Sequence, residues 1–237
     1  MTDPKRNGSP KGAVEPMDQP SAGCVTQASE RPARKQVRRV AVFVDGFNLY
    51  HGLHEHSQRK LLWLDLWALS ESLLKSGQTL ESVRYFTARV RNDPQGAARQ
   101  QTYLAALKAT GVTVVEGRFS EKWVDCRKCG SRRRSYEEKE TDVNLCLAML
   151  ESATAGEYDM ALVVTGDSDI VPAVRAVRRL DPGIRQVAVF PPKRFSDELK
   201  RAVDASMHLG IAKIRQAQLP PVVVDGQHAH SRPAYWQ

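Results

Sequence analysis

The sequence has no apolar run of the roughly 18–20 residues that a membrane-spanning helix needs. Its longest apolar runs are Val40–Val44, Leu61–Leu64 and Met160–Val164. Residues 1–10 are polar and lack the apolar segment of a secretory signal peptide. Only four cysteines occur among 237 residues, too few for the disulfide framework of a secreted protein of this length. These absences predict a cytoplasmic protein that does not enter the membrane.

Two common nucleotide-binding motifs are also missing, and there is no internal repeat. Neither G-x-x-x-x-G-K-[ST] nor G-x-G-x-x-G occurs, so nucleotide hydrolysis at a P-loop and dinucleotide redox chemistry have no support. A phosphatase of the haloacid-dehalogenase type would place Asp two residues after Asp45, where Phe47 stands.

The net charge of +8 is concentrated in two segments. Residues 1–39 contain 8 basic and 4 acidic residues, and residues 120–139 contain 7 basic and 4 acidic residues. The remainder is close to neutral. The two basic segments predict attraction for a polyanion.

The composition divides the chain into one domain with two tails. Residues 1–36 contain no Phe, Tyr or Trp and are expected to be a disordered basic tail, because they cannot bury enough apolar area to offset the entropy of ordering. Residues 37–219 form the predicted domain, with 120–139 as a basic insertion in a loop. Residues 220–237 are expected to be a second tail, within which Pro220–Val224 could dock as a short strand.

Strands and helices alternate along the predicted domain, which is typical of an α/β fold with a parallel sheet covered on both faces. In such a fold, functional residues lie at the carboxyl ends of the strands. The predicted strands are Val40–Val44, Val83–Val90, Val112–Val115, Met160–Thr165 and Val187–Phe190, and the predicted helices are one through Asn48 and Tyr50, Leu64–Ser76, Pro94–Thr110, Thr141–Ala153, Ser168–Leu180 and Ser196–Met207.

Carboxylates follow two of these strands and open one helix. Asp45 ends the first strand, Asp167 and Asp169 follow the fourth, and Asp142 begins a helix. If the two strands are neighbours, these four residues converge. Carboxylate oxygens suit Mg²⁺, and a bound cation would relieve their mutual repulsion. Such a site fits metal-assisted phosphodiester hydrolysis. Asn48 could present its amide to a phosphate or a water in the same pocket.

Each of these residues also has an ordinary structural explanation. Asp and Gly are common turn residues after a strand, and Ser168 or Asp169 could cap a helix. Asp142 could simply favour a helix N-terminus. Only their combination favours a functional site.

Three segments resemble the motifs of the NYN-domain family of PIN-like nucleases. They are Val42–Tyr50 (VFVDGFNLY), Lys139–Asn144 (KETDVN) and Val163–Ile170 (VVTGDSDI). Arg84–Phe86 and Phe190–Pro192 fit further family segments in the expected order. The resemblance extends over about residues 38–219.

The resemblance implies a PIN-like Rossmannoid three-layer sandwich with strand order 3-2-1-4-5 and RNase activity that depends on Mg²⁺ or Mn²⁺. By position, Asp45, Asp142, Asp167 and Asp169 match the acidic residues of the family, and Asn48 matches its polar residue. Thr165 and Ser168 are candidate contacts for phosphate or water.

The basic insertion holds one Cys-x-x-Cys pair, Cys126 and Cys129. A structural zinc needs four ligands, so a complete zinc site is not expected. A half-site completed by a partner chain and two free thiols on a loop both remain open. Cys146, on the helix after Asp142, is expected to pack as a buried apolar side chain.

Arg132, Arg133 and Arg134 follow the cysteine pair, with Trp123 and Tyr136 on either side. Arginine for phosphates and an aromatic ring for stacking is a common RNA-binding combination. A solvated loop with scattered aromatics explains the same residues equally well. The insertion immediately precedes Asp142, so its positive charge is expected to lie next to Asp142 and near the proposed metal, which favours a role in guiding the substrate.

Together these features predict a metal-dependent ribonuclease, most simply an endoribonuclease, with RNA as its partner. The alternative is a non-catalytic RNA-binding module on the same fold. A homodimer is compatible with the sequence, which does not determine the oligomeric state.

Overall fold

Seven strands form the central sheet of the computed structural model, which describes residues 37–125 and 129–236 and, for 119–122, 124 and 133–139, the backbone alone. The strands are β1 (Arg38–Asp45), β2 (Gln78–Ala88), β3 (Thr113–Asp125), β4 (Arg132–Lys139), β5 (Met160–Val164), β6 (Arg185–Phe190) and β7 (Ala205–His208). Their order is β4-β3-β2-β1-β5-β6-β7, and only β3 and β4 pair antiparallel. The six parallel strands have the order 3-2-1-4-5-6, so the predicted α/β class and strand order are confirmed, with β7 added at one edge.

Helices cover both faces of this sheet. They are α1 (Gly46–Ser57), α2 (Leu66–Leu73), α3 (Pro94–Ala109), α4 (Thr141–Thr154), α5 (Val171–Leu180), α6 (Asp197–Ala202) and α7 (Ile211–Gln216), followed by a 3₁₀ turn at Ala234–Trp236. None of the helices in the described part of the chain is long and apolar enough to cross a membrane.

Strand β1 shows why the chain forms three layers. Its apolar residues are buried on both faces, as expected for a central parallel strand. Val40, Val42 and Val44 pack in the core cluster that contains residues of α1, α2 and α3. Ala41 and Phe43 alternate with them and pack in the cluster of α4, α5 and α6. Asp45 then ends the strand at the carboxyl edge of the sheet.

The sheet changes direction between β1 and β5. The chain moves from β1 outward to β2 and β3 on one side, and from β5 outward to β6 and β7 on the other. Val44 pairs on both sides of this junction, with Tyr85 of β2 and Val164 of β5, and Asp45 adds one further pair, with Phe86 of β2. Open α/β sheets bind their ligands at such a switch point, outside the carboxyl ends of the strands.

The predicted helix over Ser196–Met207 is wrong in its second half. Helix α6 ends at Ala202, and β7 begins at Ala205. Asp204 causes the change, because its carboxylate accepts hydrogen bonds from the Gln186 amide and the Arg178 guanidinium. These bonds hold the chain at the edge of β6, where it continues as a strand.

The basic insertion is a β-hairpin rather than a loop. β3 continues through Asp125 and β4 returns from Arg132, with Asp125 opposite Arg132 at one end of the ladder and Arg118 opposite Lys139 at the other. Cys126 lies outside the described residues. At about 3.4 Å per residue, β4 separates Arg132 from Lys139 by roughly 24 Å. The expectation that this positive charge lies next to Asp142 is therefore wrong for Arg132.

The segment expected to be a C-terminal tail packs against the domain. Strands β8 (Val222–Asp225) and β9 (His228–Ser231) form a hairpin, and β8 overlaps Pro220–Val224, the segment considered for a short strand. The Trp63 indole donates to the Pro220 carbonyl at 2.8 Å, and Trp236 is buried against Trp63 and Tyr103. Aromatic burial therefore anchors these residues.

Candidate active site

Asp45 lies at the carboxyl end of β1 and is only 4% exposed. One of its carboxylate oxygens accepts a hydrogen bond from the Asn48 backbone N–H at 3.0 Å and so caps α1. The other accepts from the Thr165 hydroxyl at 2.8 Å. Asp45 therefore has the structural role of a helix cap and is also fixed in one orientation toward the loop that follows β5.

That loop, residues 165–169, is organised by its own side chains. The Thr165 hydroxyl, which is fully buried, also accepts from the Asp167 amide at 3.1 Å. The Asp167 carboxylate in turn accepts from the Asp169 amide at 2.9 Å. Helix α5 begins only at Val171, three residues later than predicted, and neither Ser168 nor Asp169 caps it with a side chain. Thr165 thus connects the Asp45 carboxylate to the backbone N–H of Asp167 in the loop after β5.

Asn48 forms a second connection between the two strand ends. Its side-chain oxygen accepts from the Gly166 amide at 2.8 Å. A Cβ atom on Gly166 would lie 2.8 Å from the Phe195 nitrogen, and one on Gly46 would lie 2.6 Å from the Phe86 carbonyl. Both positions require the absence of a side chain because neighbouring backbone passes so close. Asn48 therefore has a positioning role in the structure, whereas we expected it to contact substrate.

Asp142 and Asp169 both lie close enough to Cys146 for their charges to act on its thiol. Asp142 is in the first turn of α4, and Cys146 follows one turn later and is half-buried. Burial raises the pKa of the Cys146 thiol, and the negative charges of Asp142 and Asp169 raise it further. The thiol therefore stays protonated at neutral pH, as suits the apolar role predicted for it, and Asp142 is a neighbour of the loop after β5.

The four carboxylates therefore lie near one another in part: Asp167 acts on Asp45 and accepts from the Asp169 backbone, and Asp142 and Asp169 both act on Cys146. Within the described residues, no group of three or more His, Cys, Asp or Glu side chains is arranged to hold a metal ion. The expected convergence of all four is thus seen only in part.

The ionisation of Asp45 reflects this environment. Burial raises the pKa of Asp45 above its ordinary value, and the negative charge of Asp167 raises it further. The hydrogen bonds from Asn48 and Thr165 act in the opposite direction. The groups that shift this pKa include no basic side chain. A pair of carboxylates without a basic partner, together with a hydroxyl, is a donor set that fits a hard divalent cation.

Two residues at this edge were not predicted. Tyr85, near the end of β2, is buried beside Asp45, and burial and the Asp45 charge raise the pKa of its phenol above the ordinary value. Arg194 follows β6, forms an ion pair with Glu55, and lies against Gly166. For Tyr85 the sequence signal was the family segment Arg84–Phe86, and for Arg194 it was the position of the residue shortly after a strand.

A cavity of about 290 Å³ opens beside Asp45, lined by Gly46 and Tyr85 among other residues. Most of its wall is aromatic or aliphatic. It lies on the face of the sheet that carries α1 and α3, and it gives the candidate site an apolar compartment.

The basic hairpin has an exposed face. Arg132 lies 5.2 Å from the ring centre of Trp123 and 3.7 Å from the Asp125 carboxylate. Arg133 and Arg134 are described by their backbone alone. Cys129 is exposed, and its thiol is 3.1 Å from the Ser131 hydroxyl.

With this geometry established, comparison with known proteins identifies the family. The model of the NYN domain matches residues 39–210. The chain belongs to the NYN-domain family. Its NYN domain therefore contains the whole parallel sheet, the hairpin and every candidate site residue named above.

Two individual proteins are similar to this NYN domain. One is 6-hydroxy-3-succinoylpyridine 3-monooxygenase HspA of Pseudomonas putida (strain DSM 28022 / S16), which is 27% identical over 87% of this chain and 78% of its own length. The other is the crystal structure of VPA0982, a protein of unknown function from Vibrio parahaemolyticus RIMD 2210633. It has a TM-score of 0.53 and 20% identity and covers 74% of this chain and 94% of that one. At that identity, the second similarity concerns the fold alone.

Proposed function

We propose that this NYN domain is a divalent-metal-dependent ribonuclease, and specifically an endoribonuclease. One observation carries the proposal: Asp45 and Asp167 follow the two strands that flank the switch point of the sheet and are connected through Thr165. The negative charge of Asp167 raises the pKa of the buried Asp45, and such repulsion costs stability unless another group offsets it. A cation bound by a nuclease fold would supply that offset.

Asp45, Asp142, Asp167 and Asp169 are the residues that would hold Mg²⁺ or Mn²⁺. Such a cation, when bound, lowers the pKa of a coordinated water and neutralises charge on the phosphoryl oxygens. The donor set is suited to it, since carboxylate and hydroxyl oxygens are the ligands that hard cations prefer.

The other side chains have supporting roles. Thr165 holds Asp45 and the loop after β5 in a fixed relation, and Asn48 fixes the turn at Gly166. Asp167 is half-buried and Asp169 exposed, so these are the carboxylates that a substrate can reach. Arg194, at the same edge, offers a positive charge to a phosphate group.

The proposed substrate is RNA, attracted by the basic hairpin. Arg132 and Trp123 are both exposed and in contact with each other, a combination suited to phosphates and stacked bases. Because the arginine lies far along β4, it would contact the strand several nucleotides away from the bond that is cleaved.

The decisive test is an RNA cleavage assay with the full chain. Single-stranded and structured RNAs are incubated with Mg²⁺ or Mn²⁺, with and without EDTA, beside the Asp167→Asn variant. We expect cleavage that EDTA abolishes and that the variant lacks. Salt-sensitive binding without cleavage would instead favour the non-catalytic RNA-binding module. Cleavage unaffected by EDTA and by the substitution would contradict the proposal.

A second candidate function is hydroxylation of a heteroaromatic ring. The aromatic cavity beside Asp45 favours it, and a similar protein is a monooxygenase of a hydroxypyridine. Such a reaction takes one oxygen atom from O₂ and two electrons from a reductant, for which this chain has no G-x-G-x-x-G motif. Incubation with 6-hydroxy-3-succinoylpyridine, a reduced nicotinamide dinucleotide and O₂ tests it. Loss of the pyridine with oxidation of the nicotinamide would support this candidate over the nuclease.

A further inference from the structure

The cavity beside Asp45 has the size and the walls of a small ligand site. Its volume of about 290 Å³ lies at the lower end of the roughly 300–1,000 Å³ typical of ligand pockets. It is enclosed by α1, the end of β2, α3 and the C-terminal 3₁₀ turn. A compartment of this size holds a single ring system rather than a chain of several units.

The inner wall is formed by three rings that fix one another. Tyr103 contacts Tyr85 and Trp236 edge to face, with ring centres 6.3 and 5.7 Å apart. The Tyr103 hydroxyl donates to the Leu64 carbonyl. The Gln100 side chain also lines the wall. Its oxygen accepts a hydrogen bond from the Val90 backbone N–H, and its nitrogen donates one to the Ala88 carbonyl. The wall is therefore rigid and suited to a flat apolar surface.

The mouth of the cavity is aromatic and positively charged. Tyr50 and Tyr235 line it and are 40% and 47% exposed. The guanidinium carbons of Arg59 and Arg99 lie 3.8 and 4.3 Å from the ring centre of Tyr235. Tyr235 thereby holds two cations at the entrance. The Asp93 carboxylate also lines the cavity and lies 3.5 Å from the Arg99 guanidinium. The two guanidinium groups outnumber this carboxylate, so the entrance favours an anionic group.

The inner end of the cavity reaches the candidate active site. Gly46 lines the cavity and directly follows Asp45. Tyr85 also lines it and is close enough to Asp45 for the carboxylate to act on its phenol. A ligand in the cavity would therefore lie beside the acidic edge of the sheet.

We propose that this cavity binds one planar heteroaromatic ring with an anionic substituent, its ring against Tyr50, Tyr85 and Tyr103 and its charge toward Arg99. A nucleotide of RNA has this chemistry, and so does a free ring acid. In the first case, the cavity receives a base next to the phosphate to be cleaved, and this identity of the ligand rests on the proposed function.

Equilibrium binding to the full chain in EDTA tests the site without metal or cleavage. The probes are uridine 5′-monophosphate, uridine and pyridine-3-carboxylate, a free pyridine with an anionic substituent, measured by calorimetry. We expect saturable binding of the nucleotide, with uridine weaker by roughly tenfold, the value of one hydrogen bond to a charged group. Tighter binding of the free pyridine than of the nucleotide supports the site with a free small molecule as its ligand.

Three substitutions locate the binding. Arg99→Ala should lower the affinity for the nucleotide to that for uridine and leave the affinity for uridine unchanged. Tyr50→Ala should weaken both at least about fivefold, since stacking of one base contributes roughly 1–3 kcal/mol, whereas Tyr50→Phe should bind like the unmodified protein. Val90→Phe, which fills a half-buried position in the wall, should abolish both, with melting temperature as the check on folding.

The outcomes separate this inference from the nuclease proposal. Ring binding that the substitutions reduce, in a protein that cleaves no RNA, supports the cavity and contradicts the nuclease. RNA cleavage without saturation by any of the three probes up to about 10 mM overturns the ring site and leaves the nuclease. Binding that Arg99→Ala, Tyr50→Ala and Val90→Phe all leave unchanged also overturns it.

Discussion

The switch-point edge of the sheet and the basic hairpin differ in how their charges are held. Asp45 is buried, and both of its oxygens are hydrogen-bonded within the protein. Arg132 is exposed on a two-stranded projection, with Asp125 and Trp123 as its neighbours. The edge is fixed before any ligand arrives, whereas the hairpin presents its charge to solvent.

This difference assigns the two regions to different steps. A preorganised acidic edge is suited to chemistry, because its groups need no rearrangement during the reaction. Exposed charge is suited to attraction, which is salt-dependent and tolerant of sequence. We therefore expect changes at the edge to lower the rate at saturating RNA, and changes in the hairpin to lower the affinity.

The largest effect should follow from Asp45→Asn. The substitution keeps the cap on α1 and removes the charge, so we expect the cleavage rate at saturating RNA to fall at least about 100-fold, with the fold intact by circular dichroism. Asp65→Asn is the matched control, because Asp65 caps α2 through the same type of hydrogen bond. Equal losses in both variants would mean that Asp45 matters only as a cap.

A smaller effect should follow from Thr165→Val, which preserves the shape of the side chain and removes the hydroxyl between Asp45 and Asp167. Loss of such a supporting hydrogen bond typically costs about tenfold in activity. Thr165→Ser should restore most of the rate and should return the pH profile to that of the unmodified protein. A serine variant as slow as the valine variant would indicate a packing role for Thr165.

Arg132→Gln should weaken RNA binding by a few-fold and leave the rate at saturation unchanged. The effect should require a strand that spans the hairpin. Since stacked nucleotides rise about 3.4 Å each, it should appear with an RNA of about 20 nucleotides and disappear with one of about 4. Arg215→Gln, a change of another exposed arginine, is the control. Equal effects on the two RNA lengths would contradict the separate role of the hairpin.

The smallest effect concerns stability and pH. Because the folded-state pKa of Asp45 is raised from 3.8, the carboxyl stabilises the fold below its unfolded pKa, and this contribution is lost as pH rises through the folded value. Between the unfolded and the folded pKa of Asp45, the melting temperature should therefore fall less steeply with rising pH in Asp45→Asn than in the unmodified protein. A profile identical to that of the unmodified protein would show that burial does not penalise the Asp45 charge.

Local patterns predicted the elements on which the site is built. The unbroken apolar run Val40–Val44 identified a central strand. Asp45 directly follows that run and therefore lies at the carboxyl edge of the sheet. Asp167 was found in the same way after β5. Because strands and helices alternate along the chain, the sheet is parallel, and the residues that follow its strands lie at one edge.

Contacts between distant residues could not be predicted in the same way. The end of α6 depends on Asp204 reaching Gln186 and Arg178, and the burial of Trp236 depends on a partner at Trp63. The hairpin was missed because the sequences of its two strands are rich in charged residues and lack an alternation of apolar and polar residues. The cavity at Tyr85 and Tyr103 likewise exists only where α3 meets the C-terminal segment.

The most direct test of the acidic edge is Mn²⁺ binding at neutral pH, measured by the electron paramagnetic resonance signal of the free ion. If Asp45 and Asp167 act together on a divalent cation, the unmodified protein will bind Mn²⁺, Mg²⁺ will displace it, and Asp45→Asn and Asp167→Asn will each lose most of the affinity while Asp65→Asn retains it. Mn²⁺ binding that is absent, or equally strong in all four proteins, would contradict the account.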